Sequence, residues 1–500
     1  MVTGVVPEST GVRSIMTIIF FLISIMIFPG LVSAADLFAP IPDTQMNVIR
    51  SERKSVLQNL EQQKTTKTLR LIKVDTESLR QGSVTIPLRS DLRVQAKTDR
   101  LDKRSDADFT WYGKLTDVPG EATLVVRGDQ VTGTIRSEKN LFRIRPVAPG
   151  VHALIEVDET KFPPEEPPSF KQKQQPRSDS RRSESLEIEK ADRAPVTVEV
   201  LVAYTPSAET ADGNIAATIQ LAIDETNRSY ENSGINIRLH LAHTHKVNYR
   251  ETGSSFDLIL TQFATPGDGP MDEIHKLRST YTADVAVLLI NQSAFCGLAR
   301  TIKAEAVSGF AIVHYDCATG YYSFGHEIGH LQGARHNPEV DSTNTPFAYG
   351  HGFQNGSNWR TIMAYDCSPS CPRLQYWSNP DVKYNKVATG TTSTHNNARV
   401  LNATASPLGK FRPTTGAIWR HTGTPCSGNS CPGWQRLDNN LKTVAIAAGG
   451  SALYQLHDDG MVWRHTGTPC SGNSCPGWQR LDNNNLTEAI VAGSQLYQLH

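Results

Sequence analysis

Residues 323–339 read SFGHEIGHLQGARHNPE, and this stretch decides the fold. His326 and His330 stand four apart, so on a helix their imidazoles share one face, one turn above the other. Gly333 can take a left-handed conformation that ends the helix and turns the chain, bringing His336 in from the side as a third ligand. Three neutral imidazoles suit one catalytic Zn2+ and leave a fourth position for water. Glu327, beside His326 but off the ligand face, can reach that water as a general base. A helix with ordinary surface histidines is the plain alternative, and the added requirement for Gly333 and His336 makes it a poor coincidence.

Downstream, RTIMAYDC (360–367) supplies Met363 and Tyr365. With both motifs in hand, the chain resembles the metzincins, the clan of zinc peptidases defined by HExxHxxGxxH and a methionine turn. VLVAYTPSA (200–208) and YWSNPDV (376–382) are similar to the bacterial peptidyl-Asp metallopeptidases and their reprolysin-like relatives, and the resemblance spans about residues 196–412. It implies an α/β catalytic domain with a twisted mixed sheet and an active-site helix. It also implies Met363 beneath the metal and Tyr365 as an oxyanion donor that rests near zinc. The strand VSGFAIVHY (307–315) resembles the edge strand on which this clan lays an extended peptide substrate. Many relatives carry an acidic residue after the third histidine, where this chain has Asn337.

The surrounding text agrees with such a domain. VTVEVLVAYT (196–205), INIRLHLAHT (235–244) and DVAVLLI (284–290) are strand-like, while Ile215, Ile219 and Ile223 recur at helical spacing and 270–281 reads as a helix. His240, His243 and His245 fall on one of these strands, where a polar face is a better reading than a second metal site. Ahead lies a cysteine-free region, 35–160, whose runs such as EATLVVRGDQVTGTIRS (121–137) alternate with turn residues and predict a small β-rich domain. Between them, 161–195 is rich in Pro, Gln, Ser and charges of both signs and predicts an exposed, cuttable linker. By resemblance to metzincin zymogens, 35–160 is a propeptide. Having no cysteine, it excludes inhibition by a cysteine thiolate on zinc, and the sequence names no other blocking group.

Residues 1–34 have Arg13, an apolar run from Ile15 to Phe28 and a small-residue stretch ending at Ala34, the layout of a cleaved secretory signal. All eight cysteines lie beyond residue 290, which in a secreted, extracellular chain suggests disulfides. Lys plus Arg and Asp plus Glu both number 50, so no global field draws the chain to nucleic acid, and a membrane is met only during export. From 413 onward the text repeats: IWRHTGTPCSGNSCPGWQRLDNN begins at Ile418 and returns almost unchanged from Val462. That period predicts β-propeller-type repeats, and their resemblance to tectonin blades implies binding of cell-surface glycan or lipopolysaccharide. The function expected is a secreted zinc endopeptidase made as a zymogen and acting on proteins or peptides. The rival is a surface adhesin or lectin with an inactive peptidase-like domain, which would have no need of Glu327.

Overall fold

The computed structural model describes residues 35–166, 194–412 and most of 418–499, with Met1 and Gly4 besides. The signal segment, apart from those two residues, and positions 167–193 of the linker lie outside the described residues.

Residues 35–157 carry a nine-stranded sheet whose paired strands run antiparallel from Phe38–Pro40 to Val151–Val157. A bridge between Asp36 and Thr85 joins its two ends, giving a barrel-like sheet. Its alternation decides which side chains face where. Ala122, Leu124, Val126, Val131, Ile135, Phe142 and Ile144 fill the interior. The intervening Thr134, Arg136, Arg143 and Arg145 are buried too, because their outer face is covered by the next domain.

That domain has a five-stranded mixed sheet in the order 237–246, 196–204, 285–290, 310–314, 297–299. The first four strands are parallel and the last, Gly297–Ala299, is antiparallel. Val285, Val287 and Leu289 join one core with helices Ile215–Asn232, Ser323–Gln332 and Asn397–Leu408; Ala286, Leu288 and Ile290 join another with helix Phe256–Ala264. Burial on both faces is why DVAVLLI is a continuous apolar run. One expectation is corrected here. Phe310–His314, within the run read as the edge strand, is flanked on both sides, and the edge is Gly297–Ala299.

Disulfides join Cys296 to Cys317, Cys367 to Cys371 and Cys470 to Cys475, while Cys426 and Cys431 lie outside the described residues. The first ties the edge strand to the turn before the active helix. Residues 418–499 form small antiparallel sheets, the largest of four strands from Thr443–Gly449 to Trp478–Asp482. Among the described residues these do not close into a propeller.

Candidate active site

Helix Ser323–Gln332 is buried along its whole length. It leaves the preceding loop through Tyr322, held at φ 63°, and ends at Gly333, whose φ of 105° is one that a side chain would strain. The Gly333 N–H donates to the His330 carbonyl at 2.9 Å. From there the chain doubles back and His336 meets the two helical histidines.

The three Nε2 atoms converge, with His336 at 3.1 Å from His326 and 3.0 Å from His330. A tetrahedral zinc with bonds of about 2.0–2.1 Å would hold such nitrogens about 3.3 Å apart, so the set fits that ion with little adjustment. His326 Nδ1 donates to the Ile362 carbonyl and His330 Nδ1 to the Ala334 carbonyl, each at 2.9 Å, which leaves Nε2 of both as a free lone pair. Burial, with the neighbouring imidazoles, drives His326 and His336 well below the usual histidine range, and burial takes His330 down to about 4. The neutral form that binds metal is therefore favoured. Met363, fully buried, lies beneath the helix and follows Ile362 in the turn.

Glu327 points from the helix toward the edge strand. Its carboxyl group packs on the Cα of Gly297, where a Cβ would sit 2.3 Å from Oε1, so only glycine leaves room for it. Burial raises its pKa well above the carboxylate range, and the carboxylates of Glu165 and Glu166 raise it further. Those two residues stand in the segment that follows the nine-stranded sheet. Glu165, 4% exposed at its side chain, pairs with the fully buried guanidinium of Arg373, and its carboxylate lies within 4.8 Å of ligand atoms on both His326 and Glu327. Exposure expected throughout 161–195 thus fails for its first residues, since Phe162 stacks on Tyr321 at 4.1 Å and Glu165 is buried. The Tyr365 ring stands 4.5 Å from that of His336, while its hydroxyl donates to the Glu166 carbonyl.

Residues 194–378 match the model of metallo-peptidase family M12 described as Reprolysin_5. The peptidyl-Asp metalloendopeptidase of Xanthomonas campestris pv. campestris is 46% identical over 334 residues, covering 64% of this chain and 79% of that protein. The chain belongs to the peptidyl-Asp metalloendopeptidase family. A second member, from Stenotrophomonas maltophilia strain K279a, is 41% identical over 400 residues, 76% of this chain and 94% of its own. The member from Pseudomonas fragi is 41% identical over 190 residues, all of its length but 38% of this chain. As an M12 metallopeptidase, the chain uses the His326, His330, His336 triad for the catalytic zinc of its family.

The family's motif residues are thereby brought together, and the structure adds three that sequence reasoning did not single out, besides giving Asn337 its contacts. Gly297 makes space for Glu327, Arg373 adds a buried cation, and Glu165 supplies a carboxylate. Asn337 accepts the backbone N–H of Tyr365 at 2.9 Å through Oδ1 and donates to Glu339 through Nδ2 at 2.8 Å. An acidic side chain could do the first of these jobs but not the second. The strand histidines form no metal-holding group among the described residues: His240 meets Glu199, and His243 stacks on Tyr281 at 3.9 Å with the His245 ring 6.3 Å away.

Proposed function

We propose that this chain is the zymogen of a secreted endopeptidase that cleaves extended polypeptides at a bond flanked by an acidic residue. In this reading 1–34 is the signal, 35–160 the propeptide, 161–195 the segment that is cut, 196–412 the catalytic domain, and 413–500 a tectonin-like part that localises the enzyme on glycan or lipopolysaccharide. The relatives' name speaks of aspartate, and one observation here supports the same preference. Arg373 holds a carboxylate beside the histidine triad, and that carboxylate is Glu165, at the start of the segment that follows the propeptide and leaves with it when the cut falls beyond it. Its guanidinium is fixed by a bond to the Tyr321 carbonyl at 2.9 Å and by stacking over the Tyr321 ring at 4.3 Å. Once the propeptide leaves, a rigid planar cation suited to a carboxylate faces the cleft.

Zinc at the triad supplies a Lewis acid and makes a bound water acidic. Glu327 takes the proton of the attacking water and returns it to the leaving amine. Gly297–Ala299, as the free edge of the sheet, offers backbone groups to an extended substrate. Tyr365, freed from Glu166, donates to the oxygen that becomes negative during attack. The test is the cleavage profile of processed enzyme on a peptide library. Wild type should prefer acidic residues at one position beside the scissile bond. Arg373→Met should lose about 10- to 100-fold on those peptides while changing little on neutral ones. An acidic preference undiminished in the variant would remove Arg373 from recognition.

A further inference from the structure

The propeptide has no cysteine to block zinc, yet the first residues of the segment that follows it, 162–166, run into the cleft. Pro164 and Glu166, on either side of Glu165, are both engaged by cleft groups. The Cys296 N–H, at the head of the edge strand, donates to the Pro164 carbonyl at 2.9 Å, and the Tyr365 hydroxyl donates to the Glu166 carbonyl. The tail is therefore clamped to two elements that the proposed mechanism assigns to substrate.

The side chain between these clamps carries the argument. One Glu165 oxygen, Oε1, is taken by Arg373, whereas Oε2 is buried and has no hydrogen-bond partner. The carboxylate lies within 4.8 Å of ligand atoms on His326 and Glu327. A buried carboxylate oxygen without a donor is costly, and this one stands in the cleft beside the metal-binding histidines. Glu166 Oε2 is buried and unpartnered as well, but only the Glu165 carboxylate gathers with His326 and Glu327 as a possible metal-holding group. We propose that Glu165 closes the zymogen: with Oε1 on Arg373, Oε2 occupies the fourth zinc position that the catalytic water takes after cleavage. The same carboxylate also fills the acid-recognising site, so one side chain blocks both metal and specificity pocket. The proposal rests on the zinc peptidase reading of this site.

The test uses the uncleaved full chain carrying Glu327→Ala, which prevents self-processing, loaded with Co2+ so that the visible spectrum reports the ligand set. Adding Glu165→Gln should alter the position and intensity of the cobalt bands and speed loss of metal to a chelator at least about tenfold. Glu165→Asp keeps the charge but withdraws the carboxylate by one methylene, so it should move both readouts in the same direction and guards against a misfolded glutamine variant. Glu52→Gln, exposed at the end of helix Asp43–Glu52, should leave both at the parent's values. With Glu327 intact, Glu165→Gln should also hasten self-processing of the full chain. A spectrum and metal-loss rate indifferent to both Glu165 variants overturn the proposal alone. A parent chain that takes up no cobalt overturns the zinc reading and the proposal with it.

Discussion

The two sets of groups that meet at the zinc site are held in different ways. His326 and His330 are set by hydrogen bonds to carbonyls of their own domain, at Ile362 and Ala334, and by a helix buried on every side, and His336 by the turn that follows it. Glu165 is set by a segment that reaches in from the other domain and is fixed there by Arg373, the edge strand and Tyr365. In the zymogen reading proposed above, the first set would survive removal of the propeptide, whereas the second would leave with it. On that reading, a permanent cradle with a removable plug would let one chain fold its catalytic geometry completely before it is active.

Besides the plug, arginines of the β-rich domain make charged contacts with the catalytic domain. Arg143 pairs with Asp316 and also donates to the Thr319 carbonyl at 3.0 Å; Arg136 donates to the Gly320 carbonyl at 3.1 Å. Both grip the turn that leads into the active helix. Arg143→Ala would leave Asp316 buried without its cation, a loss of about 3–5 kcal/mol for such pairs. After linker cleavage, the propeptide should dissociate at least about 100-fold more readily from this variant. Titration of the released fragment by size exclusion measures it, and unchanged retention would shift the grip elsewhere.

Tyr365 belongs to both sides of the comparison, since its ring lies on His336 and its hydroxyl on the propeptide. In processed enzyme Tyr365→Phe should lower kcat about 10- to 100-fold with zinc content unchanged, because the metal carries much of the oxyanion charge. Equal kcat and equal zinc would leave the tyrosine a packing role.

A smaller effect is expected from pH. Burial raises Glu225 to about 7 and Asp224 to about 6. Glu225 accepts from Thr134 of the propeptide and from the Gly320 N–H, and faces Arg143 and Arg145; Asp224 accepts from Thr110 and Gln220, and faces Arg104 and Asp102. Release returns water to these carboxyls and lowers their pKa. A group whose pKa is higher when docked contributes fully below its undocked value and loses that contribution as pH rises through the docked value. Asp316, held below its ordinary value by Arg143, acts oppositely and only in more acid solution. Cleaved propeptide should thus be retained several-fold better near pH 5 than at pH 8. Retention that rises steadily toward pH 8 would contradict these assignments.

The permanent side was largely legible in the sequence, because its chemistry depends on helical spacing. The positions of His326, Glu327, His330, Gly333 and His336 follow one from another along seventeen residues, and Met363 and Tyr365 sit in a recognisable turn. The removable side was not. FPPEE has the composition of an exposed linker, and only the ring of Tyr321 and the charge of Arg373 bury it. The edge strand was misplaced because Gly297–Ala299 is three residues with no periodicity, beside a longer and more apolar neighbour. Arg373 is a single arginine whose meaning comes entirely from what folds around it. Two near-identical repeats announced β structure beyond 413, but their period alone does not determine how the sheets assemble.

The central claim is that three histidines hold one zinc on which Glu327 acts, and it is tested most directly by metal content and turnover measured together. Processed wild-type enzyme should carry one zinc per chain, lose activity in chelator and regain it on adding zinc. Glu327→Gln should keep the zinc and lose about 100- to 10,000-fold in kcat. Full turnover in metal-free protein, or a Glu327→Gln enzyme as fast as wild type, would contradict the account.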